Sequence, residues 1–249
     1  PPGTCDNIIL PILRKSYRQR EFDENSIKLS HSYERVMPGE SYLDSLINYW
    51  RVYSANTDLA ATECESFLSA IINVKDYPLT RVASLRASEA AKVLENSYRA
   101  ANIAFINEWT RYAEDIGFDL YEVIDAIRIR PTHSNIRAPG LGVGGYCLPK
   151  DPLFAPVSIT SFYRDGCDDF PFSRLAIETN RNMPQHSVDR LKALFQEPLA
   201  EKKILVCGVS YRQNVGDTRN SPSELLVRCL EAESACLDLH DPFVRYWDE

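Results

Sequence analysis

The 249-residue sequence lacks any apolar run long enough to cross a membrane. Its apolar stretches, such as residues 103–106, are far shorter than the roughly 20 residues that a membrane-spanning helix requires. An excess of basic residues is also missing, because 28 Lys and Arg stand against 35 Asp and Glu and give a net charge of −7. A general nucleic-acid-binding surface would be basic. The sequence therefore predicts neither a membrane protein nor a nucleic-acid-binding protein.

Cysteine motifs are missing as well. The seven cysteines are odd in number and contain no Cys-x-x-Cys pair, and no basic-then-apolar signal segment opens the chain. This usage is typical of a reduced, cytoplasmic protein without a disulfide framework or structural zinc. The four histidines are scattered, and their spacing predicts no metal site.

Hydrophobic residues make up 44% of the chain and charged residues 25%, as in a globular protein of one or two domains. The periodicity of apolar residues and the capping signals predict alternating helices and strands. Helices are expected over 8–18, 57–72, 87–116, 119–129, 150–162 and 172–196 and from Ser221 onward, and strands over 27–29, 202–207 and 235–240.

The predicted helix over 87–116 would be roughly 45 Å long. A helix of that length usually needs a partner along its side, so we expect a homodimer through this helix. Near the other end of the chain, the predicted strand–helix–strand unit offers only two strands and cannot bury both sheet faces. Together with a start at Pro1 instead of Met, this leads us to expect that parts of the protein's sheet domains are missing at both ends. The alternative for the two-stranded unit is a small appended lobe.

A Pro- and Gly-rich loop covers residues 130–152 and contains Cys147. Gly140, Gly142 and Gly145 formally satisfy the G-x-G-x-x-G dinucleotide pattern, but no strand precedes them and prolines flank the segment. A loop whose backbone amides approach a ligand fits better, with Cys147 as a nucleophile near Lys150. The alternative, a small buried hydrophobic side chain, is our interpretation of the other six cysteines.

Polar pairs mark further candidate positions. Lys92 and Asn96 stand four residues apart and share a helix face, where they could stabilise a developing oxyanion or exchange a proton. The alternative is an ordinary solvated helix face.

Two more pairs follow predicted strand ends, where α/β proteins place functional groups. Glu34 and Arg35 come after the first strand, with a salt-bridged turn as the alternative. Arg212 and Arg219 follow the strand over 202–207 and suit phosphate or carboxylate recognition, with a surface charge cluster as the alternative.

Taken together, these segments resemble the UDP-glucose/GDP-mannose dehydrogenase family. The resemblance is carried by PPGT at 1–4, ERVMPG at 34–39, Lys92 with Asn96, AFINE at 104–108, GVGGYCLPKD at 142–151 and DTRNSP at 217–222. It implies an α/β fold with a central all-helical domain and incomplete Rossmann-like lobes flanking a long dimerisation helix. The implied segments are a remnant of the NAD-binding domain at 1–84, a helical domain with the catalytic loop at 85–197, and a truncated nucleotide-sugar-binding domain at 198–249.

The resemblance also implies an activity, the NAD-dependent four-electron oxidation of the C6 alcohol of a UDP-sugar to a uronic acid. Cys147 would trap the C6 aldehyde as a thiohemiacetal and then carry a thioester. Lys92 and Asn96 would stabilise charge on the C6 oxygen, Asp151 would take part in proton transfer, and Glu34 matches a glutamate near the hydrolytic water. Many members carry a second glutamate where this chain has Pro38.

Binding residues follow from the same resemblance. Backbone amides of Gly140, Gly142, Gly144 and Gly145 would cradle the sugar. Arg212 would face the substrate, where many members have lysine. Arg219 and Lys150 would contact NAD, and an arginine of the partner subunit, Arg130 or Arg137, would complete the site.

Two other functions remain open at this point. A hydroxyacid or 6-phosphogluconate-type dehydrogenase would need no thiol, and a non-catalytic fragment would only dimerise or bind a nucleotide. The sequence leaves the sugar open between UDP-glucose and a UDP-N-acetylhexosamine. Since the glycine-rich NAD loop of the family is absent, the chain by itself is expected to be inactive.

Overall fold

The computed structural model describes residues 1–164 and 169–247. The chain forms two compact units, which we treat separately. Unit 1 comprises Pro1–Glu95 and Leu153–Asp169, and unit 2 comprises Asn96–Pro152 and Phe170–Glu249. The predicted division into domains at 1–84, 85–197 and 198–249 stays a prediction, because the compact units of a structure and the domains of a protein family need not share boundaries.

Helices dominate the described residues. The α-helices are α1 Leu10–Gln19, α2 Tyr42–Ile47, α3 Asp58–Ser69, α4 Leu85–Ile116, α5 Leu120–Arg128, α6 Phe154–Phe162, α7 Pro171–Phe195 and α8 Pro222–Ala232. A π-helical turn covers Cys5–Ile9, and 3₁₀ turns cover Glu24–Ser26, Pro131–His133 and Asp151–Leu153. The strands are β1 Ser30–Ser32, β2 Val52–Ala55, β3 Thr80–Arg81, β4 Lys203–Cys207 and β5 Cys236–His240.

Unit 1 contains a three-stranded sheet in the order β1-β2-β3, with β1 antiparallel and β3 parallel to β2. Helix α3 connects the two parallel strands. It begins where the Thr57 hydroxyl accepts a hydrogen bond from the Ala60 amide (3.1 Å), which satisfies one of the unpaired donors of the first turn. Ala60 and Ala61 are its buried residues.

In unit 2, α8 connects the parallel strands β4 and β5. A core of Val188, Leu199, Val206 and Leu230 packs α7 and α8 against this small sheet. The Asp241 carboxylate, directly after β5, accepts hydrogen bonds from the amides of Val209 and Ser210 after β4 (3.0 and 3.1 Å). The carboxyl end of the sheet is therefore held by one acidic side chain.

The long helix predicted over 87–116 is confirmed as α4, which has no internal Gly or Pro. It ends at Gly117, whose φ of 87° is left-handed and costs glycine little. The strands predicted over 202–207 and 235–240 are confirmed as β4 and β5. The predicted fold class, α/β with a long central helix, is also confirmed.

The strand predicted over residues 27–29 is wrong, because β1 begins only at Ser30. Ile27 is buried, which explains the apolar signal. The Asn56 side chain replaces a strand partner there, since it accepts from the Leu29 amide (2.9 Å) and donates to the Ile27 carbonyl (2.8 Å). Helix α2 and strands β2 and β3 were not predicted.

The hydrogen bonds that the Asp241 carboxylate accepts at the carboxyl end of the sheet lead to a prediction about stability. Burial acts to raise the pKa of Asp241, but hydrogen bonds from the Phe243, Val209 and Ser210 amides outweigh it and lower the pKa below its ordinary value. A lowered folded-state pKa means that the carboxylate stabilises the fold above its unfolded pKa of about 3.9. That contribution is lost as the pH falls through the folded pKa.

We expect Asp241→Ala to lower the free energy of unfolding at pH 7 by about 1 kcal/mol, with the difference from wild type shrinking toward pH 3. Urea unfolding at several pH values measures this. Asp238→Ala, an exposed aspartate on β5, is the control. An equal and pH-independent effect of both variants would contradict the prediction.

Candidate active site

The glycine loop packs so closely that no side chain fits at Gly142 or Gly144. Gly142 has a φ of 123°, and a β-carbon placed there would collide with the backbone oxygen of Asn180 in α7. At Gly144, a β-carbon would lie 2.5 Å from Tyr211 Cβ and 2.7 Å from the Asn220 oxygen. Contacts this short do not occur, so packing within unit 2 already requires glycine at these two positions.

Hydrogen bonds hold the same loop at both ends. The Gly145 amide donates to the Arg219 carbonyl (2.9 Å), and the Asn220 side-chain amide donates to the Gly145 carbonyl (3.2 Å). At the other end, the Gly140 amide donates to Oδ1 of Asn107 (3.3 Å). The amides of Gly140 and Gly145, predicted to cradle a sugar, thus already bind protein oxygens in this structure.

Two buried asparagines connect the loop to helices α4 and α7. Asn107 of α4 donates to Oδ1 of Asn180 in α7 (3.0 Å), and Asn180 donates to the Ala100 carbonyl (3.0 Å). Both side chains are buried. Because unpaired amides would be costly there, this network selects one arrangement of α4, α7 and the loop.

Cys147 lies at the end of the glycine loop and is exposed. The interpretation as small buried hydrophobic residues is wrong for Cys207 and Cys236, which are also exposed, and Cys167 lies outside the described residues. Cys5 shows the opposite environment: burial, helped by the Glu89 carboxylate, raises the pKa of its thiol to about 12. A nucleophile must be reached by its substrate, and Cys147 meets that requirement while Cys5 does not.

A tight turn joins Cys147 to Asp151. The Cys147 carbonyl accepts hydrogen bonds from the amides of Lys150 (3.1 Å) and Asp151 (2.9 Å). Asp151 is 5% exposed, and its carboxylate accepts hydrogen bonds from Asn96 Nδ2 (2.7 Å) and from Lys150 Nζ (2.9 Å). The ammonium of Lys150 also lies 4.2 Å from the ring centroid of Tyr146. The structure therefore brings Asn96, Lys150 and Asp151 together beside the backbone of Cys147.

Lys92 and Glu34 belong to unit 1. The Lys92 ammonium donates to the backbone carbonyl of Glu34 (3.1 Å), and the Glu34 side chain is exposed. The buried guanidinium of Arg51 donates to the neighbouring Tyr33 carbonyl (3.0 Å), and Arg35 forms an ion pair with Glu95. Two cationic side chains, Lys92 and Arg51, therefore bind the backbone of this segment. Along α4, Lys92 lies one turn before Asn96.

The loop after β4 carries the two arginines predicted to bind ligand. Arg212 is exposed. Arg219 forms a bidentate ion pair with Asp217, in which Nε and Nη2 lie 2.9 and 2.6 Å from the two carboxylate oxygens. This contact lowers the pKa of Asp217 below its ordinary value. Burial and the Asp217 charge raise the pKa of Tyr211. The Tyr211 ring lies against Gly145, two residues before Cys147.

Sequence reasoning missed Tyr211 and Tyr146. Tyr211 stands directly before Arg212 and after a strand end, so the rule that selected the arginine also applied to the aromatic residue beside it. Tyr146 immediately precedes Cys147. Neither was selected because a lone aromatic residue carries no spacing pattern.

Residues 1–164 and 169–247 show no dinucleotide site. Pyrophosphate binding needs a glycine turn between a strand and a helix N-terminus. The segment between β2 and α3 contains no glycine, and the loop after β4 begins with Gly208 without the Gly-x-Gly-x-x-Gly spacing. Lys150 and Arg219, the two residues predicted to contact NAD, each pair with a carboxylate instead.

Comparison with known proteins identifies the family. Residues 86–182 match the central domain of the UDP-glucose/GDP-mannose dehydrogenase family, and residues 205–249 match its UDP binding domain. The chain belongs to this family. The matches contain Cys147, Asp151 and Arg219, so the predicted resemblance is confirmed.

Individual relatives are similar over nearly the whole chain. A UDP-N-acetyl-D-mannosamine dehydrogenase of Methanocaldococcus jannaschii is 32% identical over 98% of this chain and 52% of the relative. An NDP-N-acetyl-D-galactosaminuronic acid dehydrogenase of Ralstonia nicotianae is 29% identical over 86% and 48%, respectively. The solved UDP-D-ManNAc dehydrogenase of Pyrococcus horikoshii superposes with a TM-score of 0.84 at 28% identity, over 98% of this chain and 56% of that one.

The chain spans about half the length of these relatives. Among the helices formed by residues 1–164 and 169–247, none combines the length and the apolar character that crossing a membrane demands.

The packing of the loop predicts that neighbouring glycines differ in their tolerance of alanine. Gly142→Ala should lower the free energy of unfolding by about 2 kcal/mol, because a left-handed backbone and a backbone collision both oppose the methyl group. Gly140→Ala is the control, since nothing lies within 4 Å of its would-be β-carbon. Urea unfolding compares the two, and equal stability would contradict the packing described here.

Proposed function

We propose that the protein oxidises the C6 alcohol of a UDP-sugar to a carboxylate through a covalent intermediate on Cys147. The observation that carries this proposal is an exposed cysteine whose backbone carbonyl binds the amide of Asp151, a buried residue paired with Asn96, in the unit that includes the matched UDP binding domain. A hydroxyacid dehydrogenase would need neither the thiol nor a UDP binding domain.

We propose an N-acetylhexosamine as the sugar. The M. jannaschii and R. nicotianae relatives are named for N-acetylated sugars, which supports this choice over UDP-glucose.

In the proposed reaction, the C6 alcohol first loses its hydroxyl proton and its C6 hydrogen, which leaves with an electron pair to the hydride acceptor. The Cys147 thiolate then attacks the C6 carbonyl carbon of the resulting aldehyde. A C–S bond forms, and the carbonyl oxygen takes up a proton to give a thiohemiacetal. The C6 hydrogen then leaves with its electron pair to the hydride acceptor, the hydroxyl proton passes to the Asp151 carboxylate, and a thioester remains. Water then breaks the C–S bond, which releases the acid and returns the thiol.

Asn96 and Asp151 act on the oxygen in this scheme. The Asn96 amide group has two N–H donors, one of which binds Asp151. The other donor can stabilise negative charge on the C6 oxygen. Asp151, held by Asn96 and Lys150, is oriented for proton transfer. The roles proposed for Lys92, Glu34, Arg212 and the glycine amides rest on the family resemblance.

Members of the family are NAD-dependent dehydrogenases, and we propose NAD as the acceptor of the hydride. In the part of the chain that the structure describes, no glycine turn joins a strand to a helix N-terminus that would bind its pyrophosphate. The 249-residue chain alone is therefore expected to carry out the addition of the thiol but no net oxidation.

The thiol step can be tested on the chain itself with the 6-aldehyde of a UDP-N-acetylhexosamine, labelled with ¹³C at C6. We expect a ¹³C resonance of a thiohemiacetal, because the addition needs no oxidant. Cys147→Ala should abolish this resonance, whereas Cys236→Ala, which removes another exposed thiol, should keep it. An adduct that persists in Cys147→Ala would exclude Cys147 as the nucleophile.

We further propose that two copies of the chain associate through the 87–116 region of α4. Phe105, Trp109 and Tyr112 form a row of touching rings along α4, with centroids 6.2 and 5.5 Å apart. All three are exposed, by 54%, 40% and 52%. Three neighbouring aromatic side chains in water are costly, and a two-fold contact would bury them. Arg130 and Arg137 are exposed as well and remain candidates for completing the partner's site.

Light scattering at micromolar concentration should therefore give twice the chain mass of 28.3 kDa. Trp109→Glu should reduce it to the mass of one chain, because a carboxylate would be buried without a partner. Phe172→Glu changes an exposed aromatic residue on α7 and should leave the dimer intact. A monomeric wild type would refute this assembly.

A further inference from the structure

The turn of Gly144 and Gly145 lies inside a clamp formed by the loop after β4. The ring of Tyr211 covers Gly145, where a β-carbon would lie 2.9 Å from Tyr211 Cε2. Arg219 and Asn220 bind the amide and the carbonyl of Gly145 from the same loop. Cys147 follows two residues later, so the clamp determines where the loop presents its thiol.

Tyr211 is itself part of the loop that carries Arg212. Its amide donates to the Asp217 carbonyl (3.1 Å), which closes this loop on itself. Asp217 in turn pairs with Arg219. A ligand bound at Arg212 therefore acts on a closed loop in which Tyr211 is the adjacent residue.

We propose that Tyr211 is a positioning residue through which a nucleoside diphosphate bound at the loop after β4 changes the reactivity of the Cys147 thiol. This inference rests on the proposed function, since it takes the loop as part of the UDP site. It adds a coupling between the nucleotide site and the nucleophile.

Close packing makes this coupling direct. The space between Tyr211 and the glycine turn does not admit even a methyl group at Gly144. A shift of the tyrosine therefore has to move the turn, because packed interiors transmit displacement instead of absorbing it. A ligand shifts such an equilibrium only by binding one arrangement more tightly. A diphosphate would bind the exposed Arg212 guanidinium and would favour the arrangement of the loop in which this contact is closest.

The consequence is a thiol that becomes reactive in response to its substrate. An exposed cysteine is open to stray electrophiles and oxidants. If the nucleotide part of the substrate adjusts the loop, the thiol takes its working position only when a sugar is present to be attacked.

The test measures alkylation of Cys147 by iodoacetamide, followed by peptide mass spectrometry of the 249-residue chain. UDP is the probe, because it lacks the sugar that would cover the thiol. We expect saturating UDP to change the alkylation rate about fivefold or more in wild type. Cys236 is the reference thiol, since it lies beside Lys203 at the opposite end of the two-stranded sheet, and its rate should not change.

Two variants separate the ring from the hydroxyl. Tyr211→Phe keeps the ring on Gly145 and should retain the response to UDP. Tyr211→Leu removes the ring and should abolish the response. Gly144→Ala breaks the same contact from the other side and should also abolish it, and this variant decides the question if Tyr211→Leu no longer folds or binds UDP.

Calorimetry of UDP binding to each variant distinguishes the possible failures. If UDP binds wild type but leaves the Cys147 rate unchanged, or if Tyr211→Leu still responds, the coupling through Tyr211 is wrong and the proposed function stands. If wild type does not bind UDP, the proposed nucleotide site is wrong and the coupling falls with it.

Discussion

The contact between the glycine turn and the loop after β4 leaves no room for a side chain at Gly144, and the candidate site depends on it. The turn leads directly to Cys147, whose carbonyl binds the amides of Lys150 and Asp151. An exposed cysteine and a buried carboxylate are therefore held at the two ends of one short turn. Glycine is required here by protein packing, which gives these residues a structural reason in addition to any contact with a sugar.

Local signals predicted the elements that are long or capped. Helix α4 is free of Gly and Pro over 32 residues, and α8 begins at the predicted cap, where the Ser221 hydroxyl accepts from the Ser223 amide (3.3 Å). The error at residues 27–29 arose because Asn56, 27 positions after Leu29, takes the place of a strand. Periodicity contains no information about such a distant partner.

The difference between local signals and distant contacts also applies to the site. Cys147, Asn96 and Asp151 were selected from short motifs, and the structure brings Asn96 and Asp151 within hydrogen-bond distance. Tyr211 could not be found in that way, because its relevance comes from a contact with Gly145, 66 positions earlier in the chain. Residues that act through packing are visible only when the fold is known, whereas residues that act through their functional groups leave a signal in the sequence.

The charges of the loop after β4 show how an acidic protein can bind an anion. Arg219 is neutralised by Asp217, so a diphosphate at this loop would gain little net attraction from it. Arg212 makes no ion pair with any residue among 1–164 and 169–247. An uncompensated guanidinium creates a local positive potential whatever the net charge of the chain. A net charge of −7 is thus compatible with a single anionic ligand at one arginine.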